Sequence, residues 1–166
     1  MRILDARPEH RLALRDGNVA MAHETEAVAL DPARVLRGVD AVLADPAKGF
    51  YLVAELDGAY AGQLMVTYEW SDWRDGTQWW IQSVWVPPEH RRRGVYRALH
   101  EAVVTRARAA GAVGVRLYVA DTNARAMATY AALGMEDAGY RVFELELPPG
   151  PPGEPGGAPK ARGAES

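Results

Sequence analysis

The chain contains no cysteine among its 166 residues. This absence excludes disulfide bonds, thiolate metal sites and a cysteine nucleophile, so any group transfer would proceed without a covalent cysteine intermediate. The four histidines show no spacing typical of metal ligands, and we predict no metal site. They are His10, His23, His90 and His100.

Long apolar runs are also missing. No stretch of about 18 or more apolar residues is present, so we predict no membrane-spanning helix and no membrane partner. Residues 1–10 lack the apolar centre of a secretory signal, and a cytoplasmic location is expected. A content of 48% hydrophobic and 25% charged residues is ordinary for a globular protein with one full core.

Positive charge is scarce except in one region. The net charge is −3, yet between Pro88 and Leu117 only Glu89 and Glu101 oppose seven arginines. These are Arg91, Arg92, Arg93, Arg97, Arg106, Arg108 and Arg116. A compact basic region in a chain of negative net charge favours a small phosphate site, and we predict no nucleic-acid partner.

The apolar patterns and turn signals predict one α/β (α+β) domain over residues 1–147. Its order is β-α-α-β-β-β-α-β-α-β, a mixed, mostly antiparallel twisted sheet with helices on both faces. Asp31 and Pro32 begin the second helix, and Asp57-Gly58 suits a tight hairpin. Residues 148–166, rich in proline and glycine, are predicted to be a disordered tail. The predicted strands cover 2–6, 50–56, 60–68, 78–86, 115–119 and 140–147.

The segment from Val84 to Tyr96 reads V-W-V-P-P-E-H-R-R-R-G-V-Y, a strand and a turn directly before an amphipathic helix. Backbone N–H groups at a helix start are unpaired and lie at the positive end of the helix dipole, so they bind anions. Gly94 has no Cβ and permits the close approach of a bulky anion. The pattern indicates a site for a phosphorylated cofactor, although taken alone it also fits a solvated turn.

Two blocks resemble the GNAT superfamily, the Gcn5-related N-acetyltransferases. Arg91, Gly94 and Tyr96 match the family's R/Q-x-x-G-x-G/A pyrophosphate loop, with tyrosine in place of the usual glycine or alanine. Downstream, Asn123 and Tyr130 occupy the places of the family's pantetheine-contacting asparagine and sulfur-proximal tyrosine. The resemblance covers residues 1–147.

The resemblance implies acetyl-CoA as the acyl donor and assigns roles to named residues. Tyr130 would be the general acid that protonates the departing thiolate. The strand before the loop would be splayed from its parallel neighbour and would bind the cofactor through its backbone. The implied cofactor-binding residues are Val84, Trp85, Val86, Arg91, Arg92, Arg93, Gly94, Val95, Tyr96, Arg97, Asn123 and Tyr130.

The general base is not evident from the sequence. Many relatives place a glutamate on the strand that leads into the loop, whereas this chain has Gln82 and Ser83 there. Glu69 is our first candidate and Glu24 our second, and each also fits an ordinary structural carboxylate. A water-mediated path is a further alternative.

The tryptophans crowd into a short span between Trp70 and Trp85. Trp79 and Trp80 are adjacent on a strand and must point to opposite faces, so only one can line a pocket on a given side. Trp85 is expected to pack in the core. If the sheet edge is an interface, the tryptophans instead favour a homodimer.

The function implied by the resemblance is transfer of acetyl from acetyl-CoA to a primary amine of a small molecule by direct attack. Acidic residues outnumber basic ones in the first half of the chain, which would attract a cationic amine. Two alternatives stay open: a non-catalytic acyl-CoA-binding sensor module, motivated by Gln82 and Tyr96, and a protein or peptide N-acetyltransferase.

Overall fold

One five-stranded sheet organises the chain, with its strands lying side by side in sequence order. The computed structural model describes residues 1–145 and 147. The first four strands are antiparallel, and the fifth runs parallel to the fourth. The strands are β1 Arg2–Asp5, β2 Phe50–Leu56, β3 Ala59–Ser71, β4 Gly76–Trp85 and β5 Gly114–Arg116. The predicted mixed, mostly antiparallel sheet is confirmed.

The described residues form four α-helices: α1 Arg11–Glu26 and α2 Pro32–Ala44 between β1 and β2, α3 Val95–Ala109 between β4 and β5, and α4 Ala124–Ala132 after β5. Helix α2 begins as predicted, with Pro32 in its first turn and Asp31 Oδ1 accepting a hydrogen bond from Ala33 N at 2.9 Å. Such a side-chain acceptor satisfies one of the unpaired N–H groups at a helix start. The Asp57-Gly58 hairpin is also confirmed, because both residues adopt positive φ angles, 54° and 83°.

The helices cover both faces of the sheet because side chains alternate along each strand. On one face, Leu14 of α1 and Val39 of α2 pack on Tyr51 and Val53. On the other face, α3 packs on the larger cluster. Its buried members include Leu52, Leu64, Val66, Trp79, Ile81, Leu99, Val103 and Ala107. Burying each such large apolar side chain contributes roughly 1.5–3 kcal/mol, so these two layers dominate the stability of the fold.

Two predicted strands differ from the structure. The predicted strand at 140–147 is wrong, because residues 140–145 and 147 form no strand and their apolar side chains are exposed; Phe143, for example, is 93% exposed. An alternating pattern forms a strand only where a neighbour supplies hydrogen bonds and packing. The strand predicted at 115–119 as buried is instead Gly114–Arg116 and only partly buried. The tail at 148–166 lies outside the described residues.

None of the helices in the described part of the chain has both the length and the apolar content that a membrane span requires. In the same part of the chain, no group of three or more histidine, aspartate and glutamate side chains is placed to hold a metal ion.

Candidate active site

Helix α3 begins with an open N-terminus. Gly94 precedes it with a left-handed backbone, φ 79°, and no atom lies within 4 Å of where its Cβ would be. The first N–H groups of α3, from Val95 onward, have no partner within the helix and lie at the positive end of its dipole, which suits an anion. Three arginines around this turn are exposed, namely Arg92, Arg93 and Arg97. The structure thus combines the backbone donors and the positive charge that the sequence pattern predicts.

Arg91 has a different surrounding from the other arginines of the loop. Its Nε donates a hydrogen bond to the Val86 carbonyl at 2.9 Å, and its terminal nitrogen forms an ion pair with Glu24 at 2.7 Å. The guanidinium also lies 5.2 Å from the centre of the Trp85 ring. These contacts anchor the loop to β4 and to the C-terminal half of α1. Glu24, our second candidate base, is therefore the ion-pair partner of a loop arginine.

Strand β4 is much longer than its parallel neighbour β5. The two strands pair only from Gln78 with Gly114 to Trp80 with Arg116, whereas β4 continues to Trp85. Past Trp80, the edge of β4 that faces β5 has no partner strand in the described part of the chain. Unpaired backbone groups of this kind are available to an extended ligand that carries amides.

The unpaired part of β4 carries a β-bulge. The register with β3 slips between Gln63 and Met65, and Ser83 on β4 has a positive φ of 49°. A bulge leaves one residue unpaired and redirects the backbone around it. A left-handed backbone is strained for serine, and such strain persists only where surrounding contacts hold it.

The side chains near the end of β4 point to two different layers. Val84 and Val86 are partly buried and pack against the core beneath α3. Val95 is likewise buried, 2% exposed, and can contact a ligand only through its backbone. Trp85 points to the opposite face and lines a cleft beside α1. The prediction that Trp85 packs in the core is therefore wrong: its ring is partly buried beneath Arg91.

Tyr130 lies beside the start of α3. Its ring meets the Tyr96 ring edge-on, with the centroids 5.6 Å apart. Burial raises the pKa of the Tyr130 hydroxyl, so it stays protonated at neutral pH, as a general acid must. Burial raises the pKa of Tyr96 as well, and the Tyr96 hydroxyl is buried without a hydrogen-bond partner. Asn123 begins α4, its Oδ1 accepting from Ala126 N at 3.0 Å.

Two clefts lie on the α1 side of the sheet. The larger, of about 790 Å³, is lined by Asp16, Val19, Ala20, His23, Glu24, Val28, Ala29, Leu30 and Trp85. The smaller, of about 340 Å³, is lined by Thr67, Tyr68, Glu69, Trp80, Gln82 and Tyr118. Trp80 lines the smaller cleft while Trp79 is buried on the other face, which confirms their opposed orientations.

Glu69, the first candidate base, sits on the wall of the smaller cleft. Its carboxylate accepts a hydrogen bond from Trp80 Nε1 and lies 3.7 Å from the Arg116 guanidinium. Gln82, at the position where many relatives carry glutamate, donates to Thr67 Oγ1 at 2.6 Å in the same cleft. The structure thus brings Glu69 and Gln82 together and places Glu24 in the other cleft.

Several cleft residues were missed by the sequence reasoning. Thr67 lies two residues before Glu69 on β3, and therefore on the same face, so period-two alternation would have found it. Asp16 and His23 of α1, together with Tyr118 beyond β5, reach the clefts only through the packing of distant elements. No local pattern in the sequence indicates them.

Known acetyltransferases are similar to this chain in sequence and in fold. The Acetyltransferase (GNAT) family matches residues 14–135. A possible acetyltransferase from Clostridium difficile 630 is 39% identical, with a TM-score of 0.81 over 88% of this chain and 97% of that one. A predicted acetyltransferase from Clostridium acetobutylicum, solved with acetyl-CoA, shares the fold at 14% identity, with a TM-score of 0.71 over 88% of this chain and 96% of its own.

A curated relative is the thialysine N-epsilon-acetyltransferase of Bos taurus. It is 33% identical over 107 residues, a match that spans 57% of this chain and 62% of the relative. The family match extends over most of the chain and includes most of α1, all of β4, the arginine loop and Tyr130. The chain therefore belongs to the GNAT family of acetyltransferases.

Proposed function

We propose that this protein transfers the acetyl group of acetyl-CoA to a primary amine of a small molecule by direct attack. The observation that carries the proposal is the open N-terminus of α3, which follows the end of β4 that has no pairing with β5. The α3 N–H groups and the exposed Arg92, Arg93 and Arg97 would hold the pyrophosphate. The free edge of β4 would bind the pantetheine amides, which brings the thioester toward the bulge.

The smaller cleft is our candidate for the acceptor amine. It lies on the α1 face of β4, beside the bulge, and its volume of about 340 Å³ suits a small molecule. An amine is protonated near neutral pH and must lose a proton before it attacks. Glu69 is the carboxylate on the wall of this cleft, and we assign it the role of base, acting directly or through a water. Tyr130 would then protonate the leaving thiolate.

A second candidate function is a non-catalytic acyl-CoA sensor. Three observations favour it: Gln82 cannot act as a carboxylate base, Glu69 is held by Arg116 and Trp80, and Glu24 is paired with Arg91. A protein of this kind would bind the donor without releasing thiol. Catalysis therefore has to be measured separately from binding.

Titration of the full chain with acetyl-CoA in a calorimeter is expected to show saturable binding with one site. Adding a panel of small amines, diamines, amino acids and a lysine peptide to the saturated complex should then release free thiol with one amine class. Saturable binding without thiol release from any amine would support the sensor function. Absence of binding would overturn the proposal altogether.

Replacing Glu69 by glutamine is expected to lower kcat by about tenfold to a hundredfold, because the attacking amine loses its proton acceptor. The acetyl-CoA affinity should be unchanged, and the loss should be smaller at high pH, where more of the amine is already neutral. A matched control is Glu55→Gln, which also removes a strand carboxylate paired with an arginine, Arg2 at 3.8 Å. Equal turnover in the wild type and the Glu69→Gln variant would remove Glu69 from the mechanism.

A further inference from the structure

Helix α4, which carries Tyr130, has few contacts with the rest of the fold. Of its residues, only Ala126 and Tyr130 are partly buried, and the others are exposed. None of them belongs to either core cluster. In the part of the chain that the structure describes, the hydrogen bonds of α4 stay within residues 123–135. Because a short helix owes most of its stability to tertiary packing, α4 depends on the few contacts that it does make.

The ring of Tyr130 supplies such a contact. It meets the Tyr96 ring edge-on, at an interplanar angle of 62° and with the centroids 5.6 Å apart. Edge-to-face pairs at this distance attract each other, because the positive edge of one ring faces the negative face of the other. The pair joins α4 to the first turn of α3.

The Tyr96 ring also contacts a second ring, that of His100. His100 lies four residues later on the same face of α3, is 5% exposed, and has its ring centroid 6.0 Å from that of Tyr96. The Tyr96 hydroxyl, by contrast, is buried without a hydrogen-bond partner, which costs stability. The ring contacts therefore keep this side chain in place. Glycine or alanine, the usual residues at this point of the family's loop, could not make them.

We propose that Tyr96 is a positioning residue, whose ring holds α4 and thereby fixes the place of the Tyr130 hydroxyl. This inference rests on the proposed function, in which Tyr130 protonates the departing thiolate. The backbone of Tyr96 lies in the first turn of α3, at the proposed pyrophosphate site, while its side chain reaches the helix of the acid. One residue thus links the phosphate end of the donor site to the acid. A misplacement of about 1 Å can lower a rate by about a hundredfold.

The test is Tyr96→Ala in the full-length chain. With the best amine, kcat is expected to fall by about a hundredfold, while the acetyl-CoA Kd changes by less than about fivefold because the backbone N–H groups remain. In a chain that already carries Tyr130→Phe, the same change should lower kcat by less than about twofold, since no acid is left to misplace. Amide hydrogen exchange should become faster in residues 124–132 and stay unchanged in the sheet.

Tyr96→Phe separates the ring from the hydroxyl. Phenylalanine keeps the edge-on contact and removes the hydroxyl that has no partner. Its kcat should therefore be at least about ten times that of Tyr96→Ala, and its melting temperature should exceed that of the wild type. Val103→Ala is the matched control, because it truncates a side chain of α3 that is 0% exposed in the core against the sheet. It should lower the melting temperature and leave kcat and the exchange of α4 unchanged.

Three results would overturn the positioning role and leave the proposed function intact. An equal loss of kcat with and without the Tyr130 hydroxyl would mean that Tyr96 acts independently of the acid. Unchanged exchange in α4 would mean that the ring does not hold this helix. A Tyr96→Phe variant as slow as Tyr96→Ala would assign the effect to the hydroxyl. If the wild type released thiol with no amine, the proposed function itself would fail, and the catalytic part of this inference with it.

Discussion

Replacing Tyr130 with phenylalanine is expected to lower kcat by about 10³-fold, within the range of a general acid, and to leave acetyl-CoA affinity within about twofold. Phenylalanine keeps the ring that packs edge-on against Tyr96, 5.6 Å between centroids, so α4 stays in place. What is lost is the proton for the departing thiolate. Steady-state turnover with the best amine and calorimetry with acetyl-CoA separate these two effects.

The pH dependence of kcat tests whether Tyr130 acts in its protonated form. Burial raises the pKa of this hydroxyl above its ordinary value near 10, and the acid must be protonated to act. The wild-type rate should therefore show little loss from Tyr130 up to about pH 10, where an unperturbed tyrosine hydroxyl would already be half ionised. The ratio of wild-type to variant rates should be constant up to that pH, and it should shrink only at higher pH, as the raised pKa of Tyr130 is approached.

The control for Tyr130 is Tyr140→Phe, which deletes the hydroxyl of a tyrosine that is 84% exposed. Its turnover should equal that of the wild type. If Tyr130→Phe matched the wild type in kcat at every pH, another group or solvent would protonate the thiolate, and Tyr130 would have only a packing role.

The elements that local chemistry specifies were predicted closely. Phe50–Leu56 has the predicted bounds, because its apolar run ends at an Asp-Gly dipeptide that only a tight turn accommodates. The start of α2 was also predictable, because Asp31 and Pro32 specify a helix start by their local chemistry. Strand β5 and the segment at 140–147 were less predictable. Whether these segments form strands depends on a neighbouring strand that can pair with them, and no local sequence pattern indicates such a neighbour.

The candidate site likewise has parts that local sequence predicts and parts that it does not. The loop around Gly94 could be predicted as a candidate phosphate site because such a site is built from consecutive residues. The ion pair of Arg91 with Glu24 joins residues 67 positions apart, and the hydrogen bond of Gln63 to Asn18 joins β3 to a residue of α1 45 positions away. Contacts of that kind follow from packing. The sequence predicted that Glu69 and Glu24 were candidates, but only the structure assigned them to different clefts.

Replacing Gly94 with valine is expected to weaken acetyl-CoA binding by about 10²-fold, roughly the loss of 3 kcal/mol. Gly94 holds a φ of 79°, and its missing Cβ borders open space at the N-terminus of α3. A valine side chain would fill the space that the pyrophosphate needs. It would also strain the backbone, since branched residues rarely adopt positive φ.

Gly111→Val separates these two effects. Gly111 lies just past the other end of α3 with a φ of 70°, and it too has no atom within 4 Å of its absent Cβ. Both variants should therefore lose similar stability, by roughly 1–3 kcal/mol in denaturant unfolding, while only Gly94→Val loses affinity. Equal losses of affinity would mean that strain spread along α3 is responsible. If the acetyl-CoA affinity were unchanged in both variants, the pyrophosphate would not bind at this helix. Arg92 and Arg93 would then not be pyrophosphate ligands.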